Sequence, residues 1–313
     1  MSKILTIGEI LVEIVATERG DGFRAPVPLI GPFPSGAPAI FIDQVGKLGQ
    51  ECAIISRVGD DDFGYVNLER LNADGVDVSG IEVAKHGTTG SAFVRYREDG
   101  SRAFVFNIRD SACGTITITK NASRLIDGCT HLHVMGTALY APSVVETILD
   151  TLDRIKAKGG TVSFDPNLRA EILGSPGMRE ALKQVISKTD LFLPSGDELF
   201  LFAEAKSEAA AVAELLATGI KAVVVKRGSA GATYFDTSTS IDMPAFKANE
   251  IDPTGAGDCF GGTFVTFWLA GAEPAEALRY ANAAGARAVM KEGPMEGASS
   301  RSELDQFIAE QGA

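Results

Sequence analysis

Short, continuous apolar runs alternate with longer stretches of helical period through most of this chain, and that alternation limits the folds open to it. The runs lie at 4–7, 53–58, 131–135, 161–164, 191–193 and 222–225. They are rich in β-branched residues, and several do not alternate with polar ones, as expected of parallel strands buried on both faces. Between them, residues 39–48, 65–71, 144–157, 178–187 and 209–216 carry apolar side chains at helical spacing. Strand and helix in turn predict a doubly wound α/β sheet. No repeat of fixed period and no low-complexity linker divides the 313 residues, so the sequence predicts one domain over 1–313.

One segment departs from this order. Residues 91–96 and 103–108 are aromatic and β-branched, and they flank Glu98-Asp99-Gly100, a hairpin signal. Part of 12–29 can join them, with Pro26 and Pro28 confining that strand to an edge. The small sheet expected from about 12–30 and 88–110 reads either as an ordinary edge hairpin or as a lid over a site at the carboxyl ends of the main strands.

Charge narrows the partners. The formal net charge is −12 and no run of Lys and Arg offers a stripe for nucleic acid. The four cysteines, Cys52, Cys113, Cys129 and Cys259, are far apart with no Cys-x-x-Cys pair. That spacing argues against a zinc ribbon or a disulfide scaffold and for a reducing compartment. The apolar run at the start is shorter than a signal peptide's core and is interrupted by Glu9. No stretch reaches the roughly 20 apolar residues a membrane span needs. A cytoplasmic location is expected.

The segment richest in chemistry is Thr254-Gly255-Ala256-Gly257-Asp258, followed by Phe260, Phe264, Phe267, Trp268 and Leu269 at helical spacing. Small residues at a helix start leave unpaired N–H groups, and the helix dipole favours an anion there. Gly255 and Gly257 let the backbone approach a phosphate. An aspartate in that field stays ionised and suits the task of orienting a hydroxyl and taking its proton during phosphoryl transfer. The segment is neither Gly-x-Gly-x-x-Gly, because Phe260 holds the third glycine's place, nor a P-loop. By itself it reads more readily as a plain helix cap than as a catalytic site.

Companion motifs add to it. Residues 252–262 resemble the C-terminal signature of the ribokinase-like (PfkB) carbohydrate kinases. Gly8-Glu9, Ser35-Gly36-Ala37-Pro38-Ala39 with Lys47-Leu48-Gly49, and the stretch 59–64 resemble other family motifs in the expected order. So do Thr89-Gly90-Ser91-Ala92, Asp165-Pro166-Asn167-Leu168-Arg169 and residues 281–286. The resemblance implies a three-layer α/β/α sandwich with a mainly parallel sheet and a small β-sheet lid. It implies an ATP-dependent sugar kinase with Asp258 as general base and the N–H groups of Gly255, Ala256 and Gly257 as anion hole. Lys226, Gly228, Gly231 and Asn282 would lie along ATP, and Glu198 would position Mg²⁺ through water. Glu13, Gly36, Arg109, Asp165, Asn167 and Arg169 would line the sugar site. A monovalent cation activates some relatives, which these residues leave open.

Four positions leave the family pattern. Ser35 replaces one of two paired glycines, Ile40 an asparagine that contacts sugar hydroxyls, Glu13 an aspartate, and Ser195 the asparagine of an Asn-x-x-Glu motif. The expected acceptor is a ketohexose of tagatose or fructose type, phosphorylated on its primary hydroxyl. A 2-keto-3-deoxygluconate kinase is the alternative, since Arg109 and Arg169 suit a carboxylate. A nucleoside kinase and a non-catalytic sugar-binding regulator are further readings. Apolar residues on both faces of the hairpin (Phe93, Val94, Phe104, Val105) are compatible with a homodimer through the lid.

Other features have plainer readings. His131 and His133 share a strand face but lack a third metal ligand, so they read as core histidines. Cys259 reads as a small buried thiol. In Asp60-Asp61-Asp62 a helix N-cap is expected rather than a metal cluster, with Gly59 and Asp61 implied by the resemblance to border the sugar.

Overall fold

The computed structural model describes residues 3–168 and 177–312. Among these, a nine-stranded sheet has the order β13-β12-β11-β10-β9-β8-β1-β4-β5. Its strands are β1 (Ile4–Ile7), β4 (Cys52–Gly59), β5 (Ile81–Ala84), β8 (His131–Met135), β9 (Thr161–Asp165), β10 (Leu191–Phe192), β11 (Ala222–Lys226), β12 (Ala232–Phe235) and β13 (Ser240–Met243). All pairings from β5 to β11 are parallel, while β12 and β13 are antiparallel.

Strand periodicity divides the core in two. Ile4, Ile54 and Val224 face one apolar layer, and their neighbours Leu5, Ile55 and Val225 face the other. The first layer is covered by α1 (Ala37–Lys47), α2 (Asp62–Ala73), α7 (Ala256–Leu269), α8 (Pro274–Ala288) and α9 (Arg301–Glu310). The second is covered by α3 (Lys120–Gly128), α4 (Pro142–Ala157), α5 (Met178–Ile186) and α6 (Glu208–Ala217). The result is the three-layer sandwich that continuous apolar strands require, because both faces of the sheet must be shielded from water.

A second sheet has the order β3-β2-β6-β7, from β2 (Leu11–Ala16), β3 (Leu29–Ser35), β6 (Gly90–Tyr96) and β7 (Arg102–Asn107). The hairpin forms around Gly100 as its sequence predicts, with the Ser101 N–H donating to Asp99 at 2.9 Å. Part of 12–29 joins this sheet as expected, as β2, but it lies between β3 and β6 and not at an edge. The edge strand is β3, so the prolines at the edge are Pro32 and Pro34, and Pro26 and Pro28 lie in the connection before it. Proline lacks the N–H that a second neighbour would need, so either pair fits an edge; side-chain pairing with β2 selects the register.

Core polar groups resolve as the sequence suggests. His131 bonds the hydroxyls of Thr161 and Ser163, each at 2.8 Å, and His133 bonds Ser163 at 2.7 Å and stacks on Phe41. Asp61 caps α2 by accepting from the Gly64 N–H at 2.8 Å, and it holds Thr89 as well. The four cysteines are free and buried. Among the described residues no group of three or more His, Cys, Asp or Glu gathers as a metal set. No described helix is long and apolar enough to cross a membrane.

Candidate active site

The carboxyl ends of the parallel strands and the inner face of the small sheet enclose a cavity of about 380 Å³. The pairing register of the small sheet builds one wall. Glu13, Ala92 and Phe106 lie in a row across β2, β6 and β7, with Leu11 two residues before Glu13 on the same face, and all four line the cavity. Glu9 follows the end of β1, Thr137 and Tyr140 follow β8, and Ile40 faces in from α1. Asp258, in the first turn of α7, lies beside Thr254 in the same lining.

Two glycines make this packing possible. Gly36 has φ +112° at the start of α1, where any side chain would run into the Glu9 carbonyl. Gly255 has φ +82° at the start of α7, under the carbonyl of Pro294, so a side chain is excluded by conformation and by space. The first α7 bond runs from the Cys259 N–H to the Gly255 carbonyl at 2.8 Å, so the N–H groups before it have no acceptor within the helix. Phe260, Phe264 and Phe267 anchor the helix in the core, while Trp268 and Leu269 stay half-buried.

The cavity is acidic on one side and apolar on the other. Glu9 and Glu13 are each 4% exposed, and Ser35 donates to Glu13 Oε1 at 3.1 Å. Leu11, Ile40, Ala92, Phe106 and Ile108 form the apolar side, and Arg109 stands exposed at the rim. Of the expected sugar residues, Glu13, Gly36 and Arg109 line this cavity with Asp258, whereas Gly59 and Asp61 do not. Arg169 lies outside the described residues.

Asp165 and Asn167, expected at the sugar, do not line this cavity but form a separate cluster behind Asp258. Asp165 is 1% exposed and makes a buried ion pair with Lys226. Burial pushes its carboxyl up, and the Lys226 ammonium pulls it back in part. Its other oxygen accepts from the Asn167 N–H at 3.2 Å, and the Asn167 side chain donates to Asp258 at 3.0 Å. Glu198 accepts from the N–H groups of Ser195 and Leu168, each at 2.7 Å, and burial followed by the nearby Asp165 charge raises its pKa.

The residues expected along a nucleotide fall into two groups. The Lys226 ammonium lies 3.8 Å from where a Gly257 Cβ would stand, beside the start of α7. Gly228 and Gly231 form the turn from β11 to β12, with φ +54° and +96°. Gly231 packs against the backbone of Met243 and Ala245, and Asn282 donates to the carbonyls of Met243 and Pro244 at 3.2 Å each. Asn282 and Gly231 therefore meet at one segment, 243–245.

A glycine-led helix start with a buried aspartate and a lysine beside it thus borders an acidic cavity. A model of the pfkB family of carbohydrate kinases matches residues 1–301. The chain belongs to that family. It is a carbohydrate kinase, a phosphotransferase whose acceptor is an alcohol, on a ribokinase-like fold. Among curated relatives, fructokinase-1 of Zea mays is 30% identical over 97% of each chain. A structure described as a candidate ribokinase II of E. coli with ATP and Mg²⁺ superposes at TM-score 0.94 with 46% identity, covering 99% of this chain and 100% of that one. A double mutant of fructokinase from Vibrio cholerae O395, with fructose, ADP and potassium bound, superposes at TM-score 0.84 with 26% identity over 98% of each chain.

Glu9, Thr137, Tyr140 and Phe106 were not among the site residues expected from sequence. The first three share a legible signal, since each follows a buried parallel strand at its carboxyl end. Phe106 had none, because its facing depends on the register of a hairpin whose two sides are both apolar.

Proposed function

We propose that this kinase transfers the γ-phosphoryl group of ATP to the primary hydroxyl of a ketohexose of fructose or tagatose type, with Asp258 as general base. The observation that carries the reading is the position of Asp258, shared between the cavity wall and the first turn of α7. The acceptor oxygen bonds to the γ-phosphorus as the bond to the departing ADP breaks, and the hydroxyl proton passes to the Asp258 carboxylate. The N–H groups of Gly255, Ala256 and Gly257 point where charge builds on the transferring group, with the Lys226 ammonium alongside.

The curated relatives named fructokinase and the fructose-bound Vibrio structure support the ketohexose. So does the wall: Glu9 and Glu13 accept from sugar hydroxyls and oppose a substrate carboxylate. Arg109 at the rim favours the second reading, a 2-keto-3-deoxygluconate kinase. ATP, Mg²⁺ and potassium in the structural relatives support the same ligands here. Glu198 would hold Mg²⁺ through water, the remaining ligands coming from phosphates, as suits an ion that keeps much of its hydration. Bound Mg²⁺ supplies neutralisation of phosphate charge.

Residues 1–313 form one kinase domain in this reading, with the small sheet as its lid. Leu29, Ile30 and Val105 on the lid's edge strands are 44%, 38% and 52% exposed, which supports a homodimer through that sheet. A coupled ADP-release assay across ketohexoses, aldohexoses, sugar acids and nucleosides tests the proposal. Fastest turnover on a ketohexose is expected. Preference for a sugar acid, lost in Arg109→Ala, favours the second reading. Retained sugar binding with no turnover on any acceptor rejects catalysis and leaves a regulator.

A further inference from the structure

We infer that Tyr96 and Arg102 are positioning residues that hold the phosphoryl-transfer segment in register with the sheet walling the sugar cavity. The inference rests on the kinase reading above. Tyr96 and Arg102 face each other across the turn end of the β6–β7 hairpin. Both reach out of the small sheet to the same three-residue stretch. The Tyr96 hydroxyl donates to Asp252 Oδ1 at 2.8 Å, and Arg102 Nη1 donates to Thr254 Oγ1 at 2.9 Å.

That stretch leads straight into the anion hole. Asp252 and Thr254 are 4% and 6% exposed, and the next residue is Gly255. The same Asp252 oxygen accepts the Thr254 N–H at 2.9 Å, and the other accepts the Gly293 N–H at 3.2 Å. The N–H groups of Ile251 and Asp252 are tied to the Val289 carbonyl. Asp252 thus joins the small sheet, the start of α7 and the loop carrying Pro294, whose carbonyl sits on Gly255.

The other face of the arrangement is the sugar. Residues of the same two strands, Ala92 and Phe106, line the cavity. A sugar that orders those strands therefore biases Tyr96 and Arg102, and through hydrogen bonds rather than a flexible loop it biases the N–H groups that receive phosphate. Such a link is reciprocal: nucleotide must tighten sugar binding by the factor by which sugar tightens nucleotide binding. Two stitches that merely fasten the sheet to the body would change stability and leave that factor alone.

The test is calorimetric titration of ADP with and without saturating fructose, or the fastest acceptor of the turnover panel, in wild type, Tyr96→Phe, Arg102→Met and Arg97→Ala. Wild type is expected to bind ADP at least about fivefold tighter with sugar present. Tyr96→Phe and Arg102→Met should bring that ratio to about 1 while each separate affinity stays within about twofold. Arg97→Ala, which loses a pair with exposed Asp21 in the β2–β3 connection and bonds to Ser101 and the Arg102 carbonyl at the turn but no contact with 252–254, should keep the wild-type ratio. A wild-type ratio retained in Tyr96→Phe overturns the inference, as does a wild type that binds both ligands without coupling. Absence of ADP binding in wild type would instead strike the kinase reading beneath it.

Discussion

The side-chain amide of Asn167 donates to Oδ1 of Asp258 at 3.0 Å from a backbone held in the left-handed region, φ +39°. Asparagine tolerates that conformation better than most residues. The Asp165 carboxylate helps keep it there through the Asn167 N–H. The contact sets the rotation of the carboxylate we assign as base. Asn167→Gly keeps the backbone accessible and removes only the amide. It should lower kcat about 10- to 100-fold, the worth of a hydrogen bond to a charged group, with sugar KM little changed. Asn167→Asp should be worse, because it sets a second carboxylate against the first. Steady-state kinetics on both variants is the check, and near-normal kcat in Asn167→Gly removes the orienting role.

Asp258→Asn keeps the shape and loses the proton acceptor we propose. We expect kcat to fall by on the order of 10² to 10⁴, the usual contribution of a positioned base. ATP affinity should hold, since the backbone N–H groups are untouched. Rapid-quench measurement of sugar phosphate separates this from a binding defect.

Ser35→Gly, which restores the family's glycine, deletes the donor at 3.1 Å from Glu13. A carboxylate released from that bond costs more to order on a substrate hydroxyl. Sugar KM should rise about tenfold with kcat nearly constant, consistent with about 1.4 kcal/mol of uniform binding. A drop confined to kcat would instead mean that Glu13 acts on the transition state.

The Asp165–Lys226 pair invites a double substitution. Asp165→Asn strands a buried ammonium and should cost about 3–5 kcal/mol in urea unfolding. Adding Lys226→Met removes the stranded charge and should recover most of that loss. Activity should not return, because the cation beside Gly257 is gone. Recovery of both together would make the pair structural only.

Stability should also decline in mild acid. Burial holds His131 down to about 3 and His133 well below its ordinary 6.5, so both are neutral in the folded chain. Between pH 6.5 and about 3 the unfolded chain binds the extra protons, so this stability is complete above 6.5 and is lost as pH falls through that window. The expected slope is about 1.4 kcal/mol per pH unit for each histidine. Denaturant melts at pH 7 and 5 should show it, and His133→Gln should remove one histidine's share.

Much of the architecture was legible because its causes are local in sequence. Continuous apolar runs such as 222–225 must be covered on both faces, and 209–216 carries the period of a covering helix. The helix start at Gly255 was legible for the same reason, since small residues before Phe260 and Phe264 leave a helix end accessible. The edge strand was harder. Proline pairs occur at 26 and 28 and at 32 and 34, and chain chemistry alone does not choose between them.

The site divides along the same line. Residue type at a helix start offered Asp258 as a candidate, and the ordered family motifs were needed to add Gly36 and Lys226. Residue identity left open that Asp165 would face Lys226 while Asn167 reached Asp258, or that Tyr96 and Arg102 would meet Asp252 and Thr254. Those contacts join residues 61 to 156 positions apart. Their formation depends on sheet order, strand register and a left-handed turn, which are properties of how distant segments pack and have no signature within any one of them.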